Sequence, residues 1–202
     1  MPNPRTDGRP GEGDGEGEGD DQDIELALAR GDTKRALNLL MERYGDRVYR
    51  FAVALTGAAD LAEEVRQRVF VDAYRDFDRC TGRIRPWLFG IARHRAQDAT
   101  KATRRWNRRY KNELPAESEL VEREPHGELD RGRLARMLAR CLAKLAPAAR
   151  DAIVLRYHQE LSYDEAAEAA GALPGTLQQR VARALPVLRS CLEAALEERK
   201  PS

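Results

Sequence analysis

Apolar residues recur every three or four positions along most of the chain, which is the spacing of amphipathic helices. From Asp23, the residues Leu26, Leu28, Ala36, Leu37, Leu40, Tyr44, Val48, Phe51, Ala52 and Leu55 keep this rhythm until Thr56-Gly57 breaks it. A second run covers about 59–77, with Leu61, Val65, Val69, Phe70, Ala73 and Tyr74 inward. A loop over 78–85 follows, and Pro86 suits the first turn of the next helix. That helix carries Trp87, Leu88, Ile91, Ala92 and Ala96 and extends to about Tyr110. Two further runs cover about 131–145, with Leu134, Met137, Leu138, Cys141, Leu142 and Leu145 inward, and about 147–158. No alternating strand pattern interrupts them, so the sequence predicts an all-α protein.

The clearest local grammar lies near the C-terminus. Ser162 is placed to cap a short helix, with Glu165 three residues on to complete the capping box. Gly171 is placed to end that helix in a left-handed conformation. Pro174, Gly175 and Thr176 then restart the chain as a second helix, with Leu177, Val181, Ala184 and Leu188 on one face. Two short helices joined by a tight turn form a helix-turn-helix, whose second helix enters a DNA major groove. Its opposite face carries Gln178, Gln179, Ala182 and Arg183; Gln can pair twice with an adenine edge and Arg twice with a guanine edge. An ordinary helical hairpin with a solvated polar face is the plain alternative.

Composition divides the chain. Residues 112–130 are rich in Glu, Pro and Gly and read as a linker. Two small helical domains are therefore predicted, at 24–111 and 131–199, joined by a flexible tether. Residues 1–23 hold eight acids against Arg5 and Arg9, about −6, so the remainder of a chain of net charge +1 stands near +7. Such a Gly/Asp/Glu tract cannot bury enough apolar surface to fold and is expected to be disordered. It is either a solubilising tail or a competitor of DNA for the basic face.

Catalytic chemistry finds no foothold. Cys80, Cys141 and Cys191 are odd in number and far apart, so neither a disulfide framework nor a zinc site is expected, and Cys141 and Cys191 read as core residues. His94, His126 and His158 are isolated. With no phosphate-binding Gly loop, metal cluster or Ser/His/Asp arrangement, the protein is expected not to be an enzyme and to need no cofactor or metal. Nothing is apolar enough to insert in a membrane and no signal-peptide core appears, which points to the cytoplasm.

Charge sharpens the picture. From Arg83 to Lys111 there are ten cations (Arg83, Arg85, Arg93, Arg95, Lys101, Arg104, Arg105, Arg108, Arg109 and Lys111) against one acid, Asp98. Trp87, Phe89, Trp106 and Tyr110 interleave with them. So basic a helix repels itself unless a polyanion neutralises it, and phosphate contact with aromatic stacking on bases is its natural use. A solvated face, with Trp87 in the core, is the alternative.

Two nucleic-acid-binding helical domains in this order resemble the sigma factors of bacterial RNA polymerase, in particular the small extracytoplasmic-function (ECF) group that keeps only regions 2 and 4. The first domain resembles region 2 in Tyr44-Gly-Asp-Arg-Val-Tyr-Arg-Phe-Ala, Leu55-Thr-Gly, Ala62-Glu-Glu-Val, Gln67-Arg-Val-Phe and Arg85-Pro-Trp-Leu-Phe-Gly-Ile-Ala-Arg-His. The second resembles region 4 in Leu142-Ala-Lys-Leu-Ala-Pro-Ala-Ala-Arg, Leu155-Arg-Tyr and the helix-turn-helix.

The resemblance implies an alternative sigma factor that binds core RNA polymerase at its clamp helices and flap, recognises promoter DNA and is held by an anti-sigma factor. It implies that Glu63, Glu64 and Gln67 dock on the clamp helices. The loop from Cys80 to Arg85, with Arg83 and Arg85, would capture a flipped minus-ten base. Arg93, His94, Asp98 and Lys101 would guide the opened strand, and the basic row Arg104, Arg105, Arg108 and Arg109 would extend the minus-ten surface. Thr176, Gln178, Gln179, Arg180 and Arg183 would read the minus-thirty-five element. The chain departs from the family pattern at Arg66 and Arg68, where apolar and acidic residues are usual. It departs also at Gln178, where Lys is usual, and at Ala172-Leu173, where Val-Pro is usual. Pro186 is expected to kink or end the recognition helix. Two other functions compete: a sigma-like decoy or adaptor that binds an anti-sigma factor without promoter DNA, and a helix-turn-helix regulator whose first domain dimerises.

Overall fold

The computed structural model describes residues 21–110 and 129–197. The acidic tract up to residue 20 and the linker residues 112–128 lie outside the described residues. Among the described residues every regular element is helical. In chain order they are α1 (Gln22–Ala29), α2 (Thr33–Thr56), α3 (Ala59–Asp76), α4 (Ile84–Tyr110), α5 (Leu129–Lys144), α6 (Pro147–Ile153), α7 (Tyr163–Ala170) and α8 (Pro174–Glu197). A single 3-10 turn, Phe77–Arg79, leads from α3 into the loop before α4, and a π turn, Val154–His158, extends α6.

The first apolar run is two helices, not one. Gly31 takes φ of 75° and Asp32 then caps α2, its carboxylate accepting from the Arg35 N–H at 3.1 Å. An Asp at the N-cap satisfies one of the unpaired donors of a helix start, so the chain can stop and restart within a continuous apolar pattern. Asp21 and Asp23, counted in the acidic tract, belong instead to the fold. Buried Asp21 accepts from the Tyr44 hydroxyl at 2.9 Å, and both acids bind Arg43. This pins α1 across α2. Burial and the Asp21 charge together hold the Tyr44 hydroxyl protonated, far above its ordinary range.

Helices α2, α3 and α4 form the first unit around Phe51, Val48, Val65, Val69, Leu88 and Phe89. Phe89 meets Phe51 edge-on with ring centroids 5.2 Å apart, so it is core rather than a stacking platform. Trp87 stacks on Phe77 at 5.7 Å and is half-buried. Helices α5 to α8 form the second unit around Leu155, Leu161, Leu177 and Val181. Leu134 and Leu138 of α5, read as inward, stand 56% and 38% exposed.

Two expectations are corrected in this second unit. Cys141 of α5 and Cys191 of α8 are joined by a disulfide, with Cα atoms 5.8 Å apart. Helical periodicity had placed each on an apolar face; α5 packs on α8, and those faces meet. Nor does Pro186 end α8, which runs on to Glu197. Pro186 itself is exposed while Ala184 and Leu188 on either side are buried. The one lost backbone hydrogen bond therefore falls toward water, and core packing carries the helix through it.

Helix α7 lies along α4, and the turn after α6 abuts α2, so one apolar core runs through both units.

Candidate nucleic-acid interface

The helix-turn-helix forms as its sequence dictates. Ser162 Oγ accepts from the Glu165 N–H at 3.2 Å, and Glu165 Oε2 accepts from the Ser162 N–H at 2.8 Å. Gly171 ends α7 at φ 59°, a conformation that glycine adopts without a Cβ penalty. Helix α8 then starts at Pro174. Its buried stripe is Leu177, Val181, Ala184 and Leu188. Thr176, Gln178, Gln179 and Arg183 are exposed and Arg180 is half-buried, so the five nominated residues share the outer side of the helix start. Exposed Leu173 flanks them.

Helix α4 is divided along its length. Lys101, Arg104, Arg105, Arg108 and Arg109 are exposed over its last turns, with Trp106, 58% exposed, among them. An open row of cations beside an exposed aromatic ring is the arrangement that binds phosphates and stacks bases. The Tyr110 side chain lies outside the described residues. Asp98 pairs with Lys101 at 3.9 Å and with Arg95 at 4.0 Å, and Arg95 also binds Asp72. His94 lies 3.1 Å from Arg93, and burial together with the Arg93 charge lowers its pKa, so it is neutral at pH 7.

The N-terminal half of α4 is engaged by the second unit. Arg83 pairs with Glu168 at 3.3 Å and with Glu165 at 3.6 Å. Arg85 donates to the Gln159 carbonyl, which also accepts from Arg47 of α2 at 3.1 Å. Arg93 Nε donates to the Ala169 carbonyl at 3.1 Å, and its guanidinium lies 3.7 Å from Asp151. Of the cations nominated for minus-ten DNA, these three face protein acceptors, whereas the five toward the C-terminus face outward.

The nominated polymerase-docking residues are half-buried or exposed on α3 and already hydrogen-bonded to neighbours on that helix. Glu63 accepts from Arg66 Nε at 2.8 Å and from Gln67 at 3.1 Å, and Glu64 pairs with Arg68 at 2.6 Å. The hydrogen bond from Arg66 is the main cause that holds the Glu63 carboxyl below its usual range. Arg66 and Arg68 thus neutralise the two acids rather than standing as separate charges.

Sequence reasoning missed Arg47, Asp151 and Gln159. Asp151 and Gln159 are buried polar residues on a short apolar helix and its exit turn, and a polar residue in an apolar stripe is the signal that could have marked them. No group of three or more possible metal ligands occurs among the described residues. No described helix is long and apolar enough to cross a membrane.

The comparisons with known proteins agree with this geometry. Residues 40–106 match the family model for sigma-70 region 2, and residues 135–185 match that for sigma-70 region 4. The chain is 27% identical over 171 residues to the ECF RNA polymerase sigma factor SigK of Mycobacterium ulcerans, covering 83% of this chain and 91% of SigK. It is 31% identical over 157 residues to the ECF RNA polymerase sigma factor SigE of Mycolicibacterium smegmatis, covering 76% of this chain and 60% of SigE. Among solved structures it is similar to the sigma factor RpoE in complex with the anti-sigma factor NepR from Bartonella quintana. That match has TM-score 0.60 and 26% identity, and covers 80% of this chain and 97% of RpoE. CnrH, solved with the cytosolic domain of CnrY, shares the fold at TM-score 0.60 and 24% identity, over 88% of this chain and 99% of CnrH.

Proposed function

The chain belongs to the extracytoplasmic-function group of RNA polymerase sigma factors, alternative sigma factors that direct transcription, and from that premise we propose which of its surfaces do the work. The first unit, 24–111, docks on the clamp through Glu63, Glu64 and Gln67 and holds minus-ten DNA through α4 and the loop before it. Lys101, Arg104, Arg105, Arg108 and Arg109 contact phosphates, while Arg83, Arg85, Arg93, His94 and Asp98 guide the opened strand. The second unit, 131–199, reads the minus-thirty-five element through Thr176, Gln178, Gln179, Arg180 and Arg183. The work is binding and strand capture without covalent chemistry, carried out in the cytoplasm where polymerase and DNA are. An anti-sigma factor is a further partner, a reading supported by the likeness to RpoE, which was solved with one.

The observation that carries this division is the outer side of α8: polar and basic residues able to pair with base edges stand at the start of the second helix of a helix-turn-helix whose first helix is capped at both ends. It also favours a promoter-binding factor over a decoy that binds anti-sigma factor alone. Reconstitution tests it. The purified protein should retain core polymerase and support run-off transcription from its own promoter. Replacing Gln178, Gln179 and Arg183 by Ala together should abolish upstream-element dependence while leaving core binding intact. Loss of core binding instead would show that α8 serves the fold or the polymerase rather than DNA.

A further inference from the structure

We propose that Leu173 is a base-reading residue: its side chain packs against the C5-methyl group of a thymine in the upstream promoter element and sets specificity at that position. The inference deepens the reading of α8 as the helix that enters the major groove, and it rests on that reading.

Leu173 is 74% exposed, the most exposed large apolar side chain among the described residues. The fold does not call for an apolar group there. The Leu173 carbonyl accepts from the Leu177 N–H at 3.0 Å and so opens α8, a task the backbone performs whatever the side chain. The end of α7 is closed by the two residues before it: Gly171 donates to the Glu168 carbonyl at 3.1 Å and Ala172 to the Ala167 carbonyl at 2.9 Å. Half-buried Ala172 is the residue placed to make the apolar contact that accompanies such a turn. Apolar side chains standing singly on a surface are ordinary, so it is the place of this one that matters.

Leu173 stands immediately before the second helix of the helix-turn-helix, whose first residues are the ones that meet base edges. Positions 173, 176, 180 and 183 are spaced by three and four, so Leu173 heads a row that continues with Thr176, Arg180 and Arg183. Pro174 follows it, and a proline confines the residue before it to extended conformations. The leucine is thus presented from a backbone with little freedom to turn it away. Beside it, a Cβ built on Gly175 would meet nothing within 4 Å, so the edge of a groove can approach without a clash. In the major groove every base pair offers hydrogen-bonding groups, and thymine alone adds a methyl group. The polar side chains of α8 read the former, whereas apolar contact with Leu173 removes the latter from water. A polar base edge set opposite Leu173 would lose its water without gaining a partner, so the same side chain also disfavours the other bases.

Deoxyuridine tests the contact directly, because it pairs as thymidine does and lacks only the methyl group. Polymerase holoenzyme carrying the full-length parent selects duplex fragments from a library randomised over the upstream element. The best-retained fragment is then remade with deoxyuridine for thymidine, one position at a time, and its affinity is measured for holoenzyme carrying the parent, Leu173→Ala or Gln179→Ala. The parent should select thymine at one position and bind about fourfold more weakly when that base alone becomes deoxyuridine, the factor for one methyl group returned to water. Leu173→Ala should bind the two versions equally. Gln179→Ala, on the same helix, should bind more weakly overall yet keep the fourfold penalty. A parent with no position sensitive to deoxyuridine, or a penalty that Leu173→Ala retains, overturns the proposal. So does a penalty that Gln179→Ala loses as completely as Leu173→Ala. An upstream element at which the parent shows no base preference overturns the reading of α8 itself, whereas a base preference without dependence on a thymine methyl overturns the Leu173 contact alone.

Discussion

Gln97 of α4 donates to the buried carboxylate of Asp151 on α6 at 2.6 Å, a side-chain hydrogen bond that joins the two halves of the chain. Around it lie Arg93 from α4, at 3.7 Å, and Arg150 from α6 itself. Burial dominates the balance and raises the Asp151 pKa above its ordinary 3.8, although the hydrogen bond from Gln97 and the two arginines oppose it. The carboxyl thus sits where its charged form is disfavoured, at the seam between the units.

That placement has a pH signature. A carboxyl whose folded pKa lies above its unfolded one binds more protons in the folded state, so stability falls as pH rises. The loss begins near the unfolded value, close to 4, and is complete once pH passes the raised folded pKa. Asp151→Asn keeps an acceptor for Gln97 and removes the titration. In thermal melts from pH 3.5 upward, the variant should gain stability relative to the parent as pH rises through this window. A constant difference across the series would show that Asp151 does not titrate between the two states.

The disulfide gives a second expectation. Cys141 and Cys191 enclose a loop of 50 residues, and closing a loop of that size restricts the unfolded chain by about 2–4 kcal/mol. Reduction, or Cys141→Ser with Cys191→Ser, should lower stability by about that amount and mainly loosen α5 against α8. Chemical unfolding with and without a phosphine reductant checks this. Cys80 is half-buried with its thiol pKa raised by burial, so it should alkylate slowly in the native oxidised protein and leave the other two unmodified. Equal stability with and without reductant would mean that the helix packing alone holds the two ends together.

Periodicity and capping chemistry made most of the helices legible, because each helix needs an apolar stripe and a way to satisfy its ends. Ser162, Glu165 and Gly171 mark α7 without any tertiary information. The relation between the units was not legible. An apolar stripe says that a face is covered but not by what, and nothing in the pattern couples Gly90 to Ala169 or Arg47 to the Gln159 carbonyl. The Cys141–Cys191 bond was hidden for the same reason: its sulfurs are 50 positions apart and meet only after α5 packs on α8. Phe89 looked like one of the interleaved aromatics of the basic helix, yet it is fully buried and packs edge-on against Phe51 in the core of the first unit. Leu134 and Leu138 fit an inward stripe by spacing, but the side of α5 that is buried holds Met137, Cys141 and Leu142.

The reading side of α8 makes a base-level prediction. A single replacement of Gln178, Gln179 or Arg183 by Ala should cost roughly 1–3 kcal/mol at one matching base pair of the upstream element and little elsewhere. Competition binding of holoenzyme to a panel of single-base variants measures it. If parent and variant respond equally at every base pair, these side chains position the domain on the backbone and do not read sequence.

The cation row at the end of α4 predicts a salt dependence. Arg104, Arg105, Arg108 and Arg109 are exposed, whereas Arg95 nearer the middle is tied to Asp72. Each phosphate they neutralise releases condensed counterions, which steepens the fall of binding with salt by about 0.9 per duplex contact and about 0.7 per single-strand contact. Replacing all four by Ala should therefore flatten the slope of log affinity against log salt by up to about 3.6 for holoenzyme on promoter DNA if all four contacts are to duplex, and by about 2.8 if all are to single strand. Thermal stability should change little, because exposed cations away from partners contribute little to folding. The contrast with Arg83 is informative: removing that residue should alter the free protein's compactness as well as its DNA affinity, since its guanidinium is shared with Glu165 and Glu168. An unchanged slope for the fourfold variant would assign the row to a protein surface, and the phosphate contacts would then have to come from the half of α4 that α7 covers.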